Sequence, residues 1–572
     1  MTTPNSAVGK VPPEAPFPAL SANFPLFAQA LKLHSSGDHE GARALYLRLV
    51  ERPRLTAACL HQLAVLATQR GEHEIAPELF RHALKLDPSQ LRTYANLAAS
   101  LQKVGRNAEA LSVLLDQGCT LQNAGRYAEA ELPYREILSH DLLNYGAYVN
   151  LGTCLAQMHR LPEAAQQIFR AMQLYGRLDA RVAEFAEQLA RRIADKVGVP
   201  LQARLPPGAP SGRIEKIEDA VTTLGKIMTE FCLPDEAILC HRQSLALAPG
   251  FALAHWNLSL ALLSTGQYAQ AWPEYEWRWH WDGFPEAQRQ RNYTPWRGEA
   301  PANKRILVWS EQGFGDTLQF APLVAQLAAK GAQVSFEVMR PLAGLMAQSL
   351  KDVTVIEAPD AGQPAAPDKA FDYAVANISL PALLGLEVAS LPLASKYLRA
   401  DPATKKRWAK RIAPTDKTRI GVVWAGRSKP DARRSIAFSI LAPLFDRQTL
   451  KWYSLQVGPP VNDIPKAGNA AIEDLSQGLT DFAETAAAMS CLDLVITIDT
   501  AAAHLAGGLG IPTWLLLPRV SDWRWAATST RAETQTWSCW YPSVRIFKQS
   551  SDGLWDGVIG EVGAALDGLD IS

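Results

Sequence analysis

From Arg305 onward, short apolar runs alternate with glycine-bearing loops and helical stretches. The runs are "RILVWS", "QVSFEV", "VTVIEA" and "FDYAVA", then "RIGVVWAG", "KWYSLQV", "AIEDLS", "LDLVITID", "TWLLLP" and "VRIFKQ". Strands with β-branched cores, separated by helical patterns, predict parallel sheets covered on both faces. The two sets predict two Rossmann-like α/β domains, 305–412 and 413–572, the second closed by the amphipathic helix "GLWDGVIGEVGAALDGL". Before Arg305 the pattern is different. Small and large apolar positions recur there: Gly37, Ala42 and Tyr46; Gly71, Ala76, Phe80, Ala83 and Pro88; Gly105, Ala110 and Leu114, with the glycines 34 residues apart.

That recurrence has a physical reading. A glycine turns the chain between two antiparallel helices, an alanine lets them approach, a large residue fills the groove between them, and a proline ends the second. The pattern resembles the tetratricopeptide repeat (TPR). After Gly105 the register jumps by 20 residues and resumes at Gly125, Ala130 and Tyr134, then Gly152, Ala164, Ile168 and Ala171. Residues 176–212 break it, and two more units follow, with Gly225, Ala237 and Pro249, then Trp256, Gly266, Ala271 and Tyr275. The fold class expected is therefore multidomain: an all-α TPR superhelix of about seven units over 23–285, then the α/β pair. In the TPR family the concave groove of such an array holds a peptide or protein; the plainer alternative is a prop or dimerisation element for the second half.

The last repeat runs into a tryptophan-rich segment, with Trp272, Trp277, Trp279, Trp281 and Trp296. Residues 286–304 are expected as the linker. The rings fit an interdomain plug or, alternatively, a sugar-stacking platform. Composition narrows the partners: 57 Lys plus Arg balance 57 Asp plus Glu, so no net charge argues for nucleic acid. Seven scattered cysteines without a CxxC pair read as reduced core thiols of a cytoplasmic protein. Ten of the eleven histidines lie in the repeat half without metal-ligand spacing, the exception being His504. No apolar run reaches the ~20 residues of a membrane span. The proline-rich residues 1–22 read as a disordered lead-in without a signal-peptide pattern.

Candidate chemistry concentrates in "ITIDTAAAHLAGGLG", where a buried strand hands over to a small-residue helix. Asp499 and Thr500 stand at the carboxyl end of the strand and the amino end of the helix, where unpaired N–H groups and the helix dipole attract phosphate. Ala501–Ala503 and Gly507–Gly508 would let a ligand approach the backbone, and His504 shares the side of the first turn with Thr500. The alternatives are a capping Asp499 and a core histidine.

These residues support a resemblance. "ITIDTAAAHLAGGLGIPTWLLL" resembles the nucleotide-sugar motif of bacterial ADP-heptose:lipopolysaccharide heptosyltransferases, Asp-Thr/Ser-Gly-x-x-His-x-Ala after a strand, with Ala501 where the family has glycine. "SEQGFGDTLQFAPLVAQL" is similar to their amino-terminal Gly-Asp loop. The resemblance covers about 305–570 and implies the GT-B fold. It implies Asp316 as general base, which otherwise reads as a cap of the following helix; Gly313 and Gly315 would give a tight loop open to the acceptor. It implies a basic residue on the phosphates from the loop "GVVWAGRSKPDARRSIAF": Arg427, Lys429, Arg433 or Arg434, with Arg434 and Ser435 the best placed. Thr500, Ala501, His504, Asp499 and Gly315 complete the expected nucleotide-sugar site. Further candidates are Gln319, Asp481 and Glu484 (ribose holder or cap), and Asp522, Trp523 and Arg524 of "PRVSDWRW". No DxD motif is placed for a metal, and no cofactor is expected beyond a nucleotide-sugar substrate.

A TPR array fused to such a pair resembles bacterial protein O-glycosyltransferases, including flagellin-modifying ones. Three functions follow as expectations. The first is transfer of a sugar from a nucleotide to Ser/Thr hydroxyls of a protein, flagellin-like, held by the TPR groove. The second is a heptosyltransferase-like enzyme with a carbohydrate or lipid acceptor. The third is a TPR scaffold carrying an inactive GT-B domain.

Overall fold

The computed structural model describes residues 24–171 and 217–569, apart from 161–162, 287–292, 360–369, 413–414, 428–430, 468–471, 532–534, 551–553 and a few single positions. The expected lead-in, the irregular stretch 176–212 and Lys429 lie outside the described residues. The chain divides into two compact units, Met1–Val197 and Gly198–Ser572. The array expected as one domain over 23–285 is thereby divided, its last two units falling in the second.

The first unit contains the helices α1 (Pro25–Ser35), α2 (His39–Leu49), α3 (Thr56–Gln69), α4 (Ala76–Leu86), α5 (Leu91–Lys103), α6 (Asn107–Asn123), α7 (Tyr127–His140) and α8 (Tyr145–Gln157). The second unit begins with α9 (Ile217–Glu230), α10 (Pro234–Leu247), α11 (Ala252–Ser264) and α12 (Tyr268–Tyr275). One packing rule runs through both. A small residue on the first helix of each pair (Ala30, Ala64, Ala98, Gly118, Gly152, Gly225, Ser259) is followed 12 residues later by a buried alanine and 16 later by a large buried residue: Tyr46, Phe80, Leu114, Tyr134, Ile168, His241, Tyr275. That makes seven units among the described residues. A Cβ added at Gly118 would stand 2.5 Å from the Tyr134 ring, at Gly152 2.9 Å from Ile168, and at Gly225 2.5 Å from His241. Small side chains here are the condition for close helix approach.

The 20-residue jump has a simple cause. Helix α6, 17 residues long, serves twice. Its first half presents Ala110 and Leu114 to α5; its second half presents Gly118 to Tyr134 of α7. Seven residues after each small position comes the turn, with a left-handed residue: Gly37, Gly71, Gly105, Gly125 and Gly266, but His159 and Cys232 in the fifth and sixth units. Gly152 and Gly225, read from the sequence as turn glycines, are thus helix-packing glycines, and the turns of their units carry side chains at φ 60° and 59°.

The α/β part holds two sheets. The first has the order β3-β2-β1-β4, all parallel, from β1 (Arg305–Trp309), β2 (Gln333–Val338), β3 (Thr354–Glu357) and β4 (Tyr373–Ala376). Helix α13 (Phe314–Ala329) follows β1. The second sheet has the order β10-β11-β12-β9-β8-β5-β6-β7. Its strands are β5 (Thr418–Val423), β6 (Leu450–Ser454), β7 (Ile472–Asp474), β8 (Leu494–Ile498), β9 (Thr513–Leu517), β10 (Thr528–Arg531), β11 (Gln535–Ser538) and β12 (Val544–Lys548). The hairpin β10–β11 is antiparallel and was not expected from the apolar pattern. Helices α14 (Phe482–Met489) and α15 (Ala501–Leu509) precede and follow β8, and α16 (Asp556–Asp567) closes the chain. The fold class is the expected multidomain one: TPR helices, then two α/β sheets.

The tryptophans act as a plug. Trp272 is 2% exposed, donates its Nε1–H to Leu386 O at 3.2 Å, and meets Phe320 and Trp523 edge-on. Trp279 lies against Trp309, Trp277 stacks on His255, and Trp296 is buried. These rings are occupied by protein neighbours, which removes the sugar-platform reading. Beside them Arg278, fully buried, makes a bidentate pair with buried Glu311 at 2.8 and 2.9 Å and donates to the Ser379 hydroxyl. Glu311 lies in the loop after β1, so the last TPR helices are anchored to the loop that leads into α13.

Among the described residues no helix is long and apolar enough to cross a membrane. All seven cysteines are free thiols.

Candidate active site

In the second sheet β5 and β8 are neighbours, and the strand order runs outward from them in both directions. Such a switch point opens a crevice at the carboxyl ends of the strands. The loop after β5 carries Arg427, Arg434 and Ser435; the loop after β8 carries Asp499 and Thr500. The structure brings these together. Arg434 donates from Nη1 to Asp499 O and from Nη2 to Arg427 O, both at 3.1 Å. Ser435 Oγ accepts the Gly426 N–H at 3.1 Å. A Cβ at Gly426 would lie 3.1 Å from Thr500 Cγ2 and 3.2 Å from Arg434 Nε. The Arg434 Nε is buried without a hydrogen-bond partner.

Thr500 is the N-cap of α15, with extended backbone, but its hydroxyl caps nothing; it points back toward Ile498 O at 3.5 Å. The amide of Ala503 is taken by Thr500 O at 3.0 Å, leaving Ala501 and Ala502 at the start of the helix, where amides have no intrahelical acceptor. Asp499 is not the cap. Its Oδ1 accepts the Trp525 indole N–H at 2.8 Å. Burial, with the Asp522 carboxylate adding repulsion, pushes the Asp499 carboxyl up to about 6.

His504 is 3% exposed. Its Nδ1 shares a hydrogen bond of 2.9 Å with the Tyr541 hydroxyl, and its ring stacks on Trp525 with centroids 4.7 Å apart. Burial, with Arg524 adding to it, pushes its pKa down to about 3, which favours the neutral imidazole. Its remaining nitrogen looks to Gly315: a Cβ there would stand 2.8 Å from His504 Cδ2 and 3.3 Å from Nε2. Gly315 is therefore small so that α13 and α15 can pack, one helix from each α/β domain. That replaces the expectation that its openness serves the acceptor. Gly313 has ordinary extended φ, and the left-handed residue of the loop is Gln312 at φ 66°. A second correction concerns Gly507 and Gly508. Added Cβ atoms would meet Tyr541 at 2.5 Å and Leu398 at 2.6 Å, so both make room for protein side chains, not for a ligand.

Asp316 stands at the third position of α13, in a capping box: its Oδ2 accepts the Gly313 N–H at 2.9 Å. Its Oδ1 is held by Nη2 of Arg524 from the other α/β domain. Arg524 also donates from Nη1 to Asp522 Oδ1 at 2.9 Å and lies over the Trp523 ring at 4.4 Å. Asp316 and Asp522 thus meet at one guanidinium, whose charge also reaches Asp499. Gln319, on the same helix as Asp316, is 1% exposed and neither polar atom of its amide has a partner.

Other candidates are committed elsewhere. Arg433 is paired with Asp431 and with Glu230 of α9, which takes it out of the phosphate set. Asp481 caps α14. Glu484 accepts from Trp408 Nε1 at 2.7 Å and Arg407 Nη2 at 2.5 Å, so its carboxylate is occupied by structural donors and the ribose reading loses ground. Arg427 is exposed and lies over the Phe314 ring at 5.9 Å. Asp522 and Trp523 lie beside the site through Arg524. Among the described residues no group of His, Cys, Asp or Glu is placed to hold a metal ion. Sequence reasoning under-weighted Arg524 and missed Tyr541. The dense "DWRW" stretch signalled the first; nothing local signalled the second, which reaches His504 from 37 residues away.

The comparisons agree with the repeat reading. Residues 56–86 and 115–180 match the tetratricopeptide repeat family. Protein FlbA of Caulobacter vibrioides is 28% identical over 360 residues, which span 58% of this chain and 58% of that protein. Among solved structures, an ADP-heptose lipopolysaccharide heptosyltransferase II of E. coli is 15% identical, with 46% of this chain and 98% of that chain covered and a TM-score of 0.34. A family 9 glycosyl transferase from Veillonella parvula is 13% identical, with 46% and 92% covered and a TM-score of 0.33. The TPR protein YrrB is 17% identical, with 42% and 96% covered and a TM-score of 0.16. Superpositions this loose assign nothing by themselves, and the function has to come from the site.

Proposed function

We propose that the chain is a glycosyltransferase that moves a sugar from a nucleotide-sugar donor to a protein hydroxyl, with Asp316 as general base. The observation that carries the reading is the meeting of two helix starts across the α/β pair. The amino end of α15, with the Thr500 hydroxyl on a long 3.5 Å bond to Ile498 O and the Arg434 bridge, stands at the switch point of the second sheet. The amino end of α13, with Asp316, faces it through the Gly315–His504 contact. A diphosphate at the first end and an acceptor hydroxyl beside the second is what displacement of a sugar from a nucleotide requires. The motif resemblance of "ITIDTAAAHLAGG" and "EQGFGDT" points the same way. A protein acceptor held by the TPR helices is supported by the repeats, since stacked helical repeats present long concave surfaces; a flagellin-like Ser/Thr acceptor rests on the resemblance of a TPR array fused to such a pair. Donor chemistry through protein groups needs no metal ion in this reading, and a cytoplasmic site follows from a nucleotide-sugar substrate.

The test is release of nucleotide from a panel of ADP-, UDP-, GDP-, dTDP- and CMP-linked sugars, with intact-mass analysis of candidate acceptor proteins. Turnover with one donor, lost in Asp316→Asn, and a sugar-sized mass gain on a protein support the proposal. Turnover onto a glycan or lipid with no protein gain would return the heptosyltransferase-like alternative, and no turnover with any donor the scaffold alternative.

A further inference from the structure

Both carboxylate oxygens of the proposed base are already hydrogen-bonded, one of them by Arg524. Asp316 Oδ2 holds the Gly313 amide at 2.9 Å and Oδ1 holds the Arg524 guanidinium. A carboxylate oxygen held by a guanidinium is engaged where the acceptor's hydroxyl would have to dock. The same guanidinium is the counter-charge to Asp522 at 2.9 Å, and Asp499 and His504 both feel its charge. The surrounding charged groups are therefore Asp316 from α13, Asp499 from the end of β8, and Asp522 beside it; Arg434 on the far side is bound to two backbone carbonyls. A diphosphate arriving at the start of α15 adds negative charge next to three carboxylates. Exposed Arg427 lies over the Phe314 ring, whereas Arg524 is the cation already paired with the proposed base.

We propose that Arg524 is a catalytic residue handed from Asp316 to the donor's diphosphate. The transfer does two things at once. It places a guanidinium on the leaving group, where arginine forms its strongest paired contacts. It also uncovers Asp316 Oδ1 for the acceptor. In the step that follows, the acceptor oxygen bonds to the anomeric carbon as the bond from that carbon to the diphosphate oxygen breaks. The electron pair leaves with the diphosphate beside Arg524, and the hydroxyl proton goes to Asp316 Oδ1. Donor binding thus creates the base, and the acceptor is activated second. The inference rests on the nucleotide-sugar reading above but goes beyond it, in naming the residue and the order.

The experiment is calorimetric titration of ADP, UDP, GDP, dTDP and CMP into wild type, Asp316→Asn, Arg524→Met and the double variant. If Asp316 competes with phosphate for Arg524, the nucleotide that binds wild type should bind Asp316→Asn more tightly, by about tenfold for one charge-assisted contact released. That gain should vanish in the Arg524→Met background. Equal or weaker binding by Asp316→Asn, or a gain that persists without Arg524, overturns the hand-over while leaving the nucleotide site intact. Absence of any nucleotide binding by wild type removes the nucleotide-sugar reading and the hand-over with it. Should Arg524→Met fail to fold, the near-isosteric Asp316→Asn decides alone: unchanged affinity overturns the proposal.

Discussion

Gly315→Ala puts one methyl group into the contact between the two α/β domains. Gly315 lies in the first turn of α13 with an ordinary φ, so the backbone itself would welcome alanine, by up to about 1 kcal/mol on helix propensity. The methyl would stand 2.8 Å from His504 Cδ2, closer than carbon atoms pack. His504 has no way to retreat: its Nδ1 is tied to Tyr541, its face rests on Trp525, and it is 3% exposed. Overpacking against so fixed a partner costs about 1–3 kcal/mol, so the clash should exceed the propensity gain. The predicted net is a loss of roughly 1–2 kcal/mol, a fall of a few degrees in the melting of a domain this size. The assay is a double-mutant cycle by thermal unfolding with Gly315→Ala, His504→Ala and both. With the imidazole removed, the added methyl should become neutral or stabilising, giving a coupling of about 1–3 kcal/mol. A Gly315→Ala penalty that survives in the His504→Ala background would refute the reasoning, because the methyl would then be meeting something other than His504.

Two further outcomes follow from the same geometry. Asp499→Asn should stabilise the protein near pH 8 and do nothing near pH 4. The native carboxyl titrates at about 6, above its unfolded value, so the native state holds the extra proton and stability falls as pH rises through that window, by at most about 3 kcal/mol; pH-dependent unfolding of the pair of proteins reads the difference. His159→Gly and Cys232→Gly should each gain about 1 kcal/mol in unfolding experiments, since both hold a left-handed conformation that costs a side chain that much; a loss would mean that their side chains contribute contacts outweighing the strain.

Much of the fold was legible because periodic packing writes itself into sequence. The small-alanine-large spacing of each repeat is local, and so is the alternation of apolar strands with helices. What was misread had a local cue with a distant partner. Gly152 and Gly225 look like turn glycines until Ile168 and His241 are seen against them. The register jump at Gly125 looks like an irregular insertion until α6 is seen to serve two pairs. At the site, Thr500, Asp499 and Asp316 were legible from their strand-to-helix positions. The roles of Gly315, Gly507 and Gly508 were not, since His504, Tyr541 and Leu398 reach them from other elements. The β10–β11 hairpin, "TSTR" and "QTWS", is too polar to announce itself by apolar runs. Arg524 was visible as part of a dense aromatic stretch, but its ion pair with Asp316 spans 208 residues and no spacing rule encodes it.

The measurement that bears most directly on the nucleotide-sugar site is a thermal-shift panel of ADP, UDP, GDP, dTDP and CMP on wild type, Thr500→Ala and His504→Ala. A nucleotide present at 100 times its dissociation constant should add about 2.7 kcal/mol to the native state. The account predicts that one nucleotide raises the melting temperature of wild type and that Thr500→Ala, folded in its absence, loses that shift, with His504→Ala reporting the packing of α13 on α15. A panel in which no nucleotide stabilises wild type at millimolar concentration, or in which Thr500→Ala keeps the full shift, would contradict it.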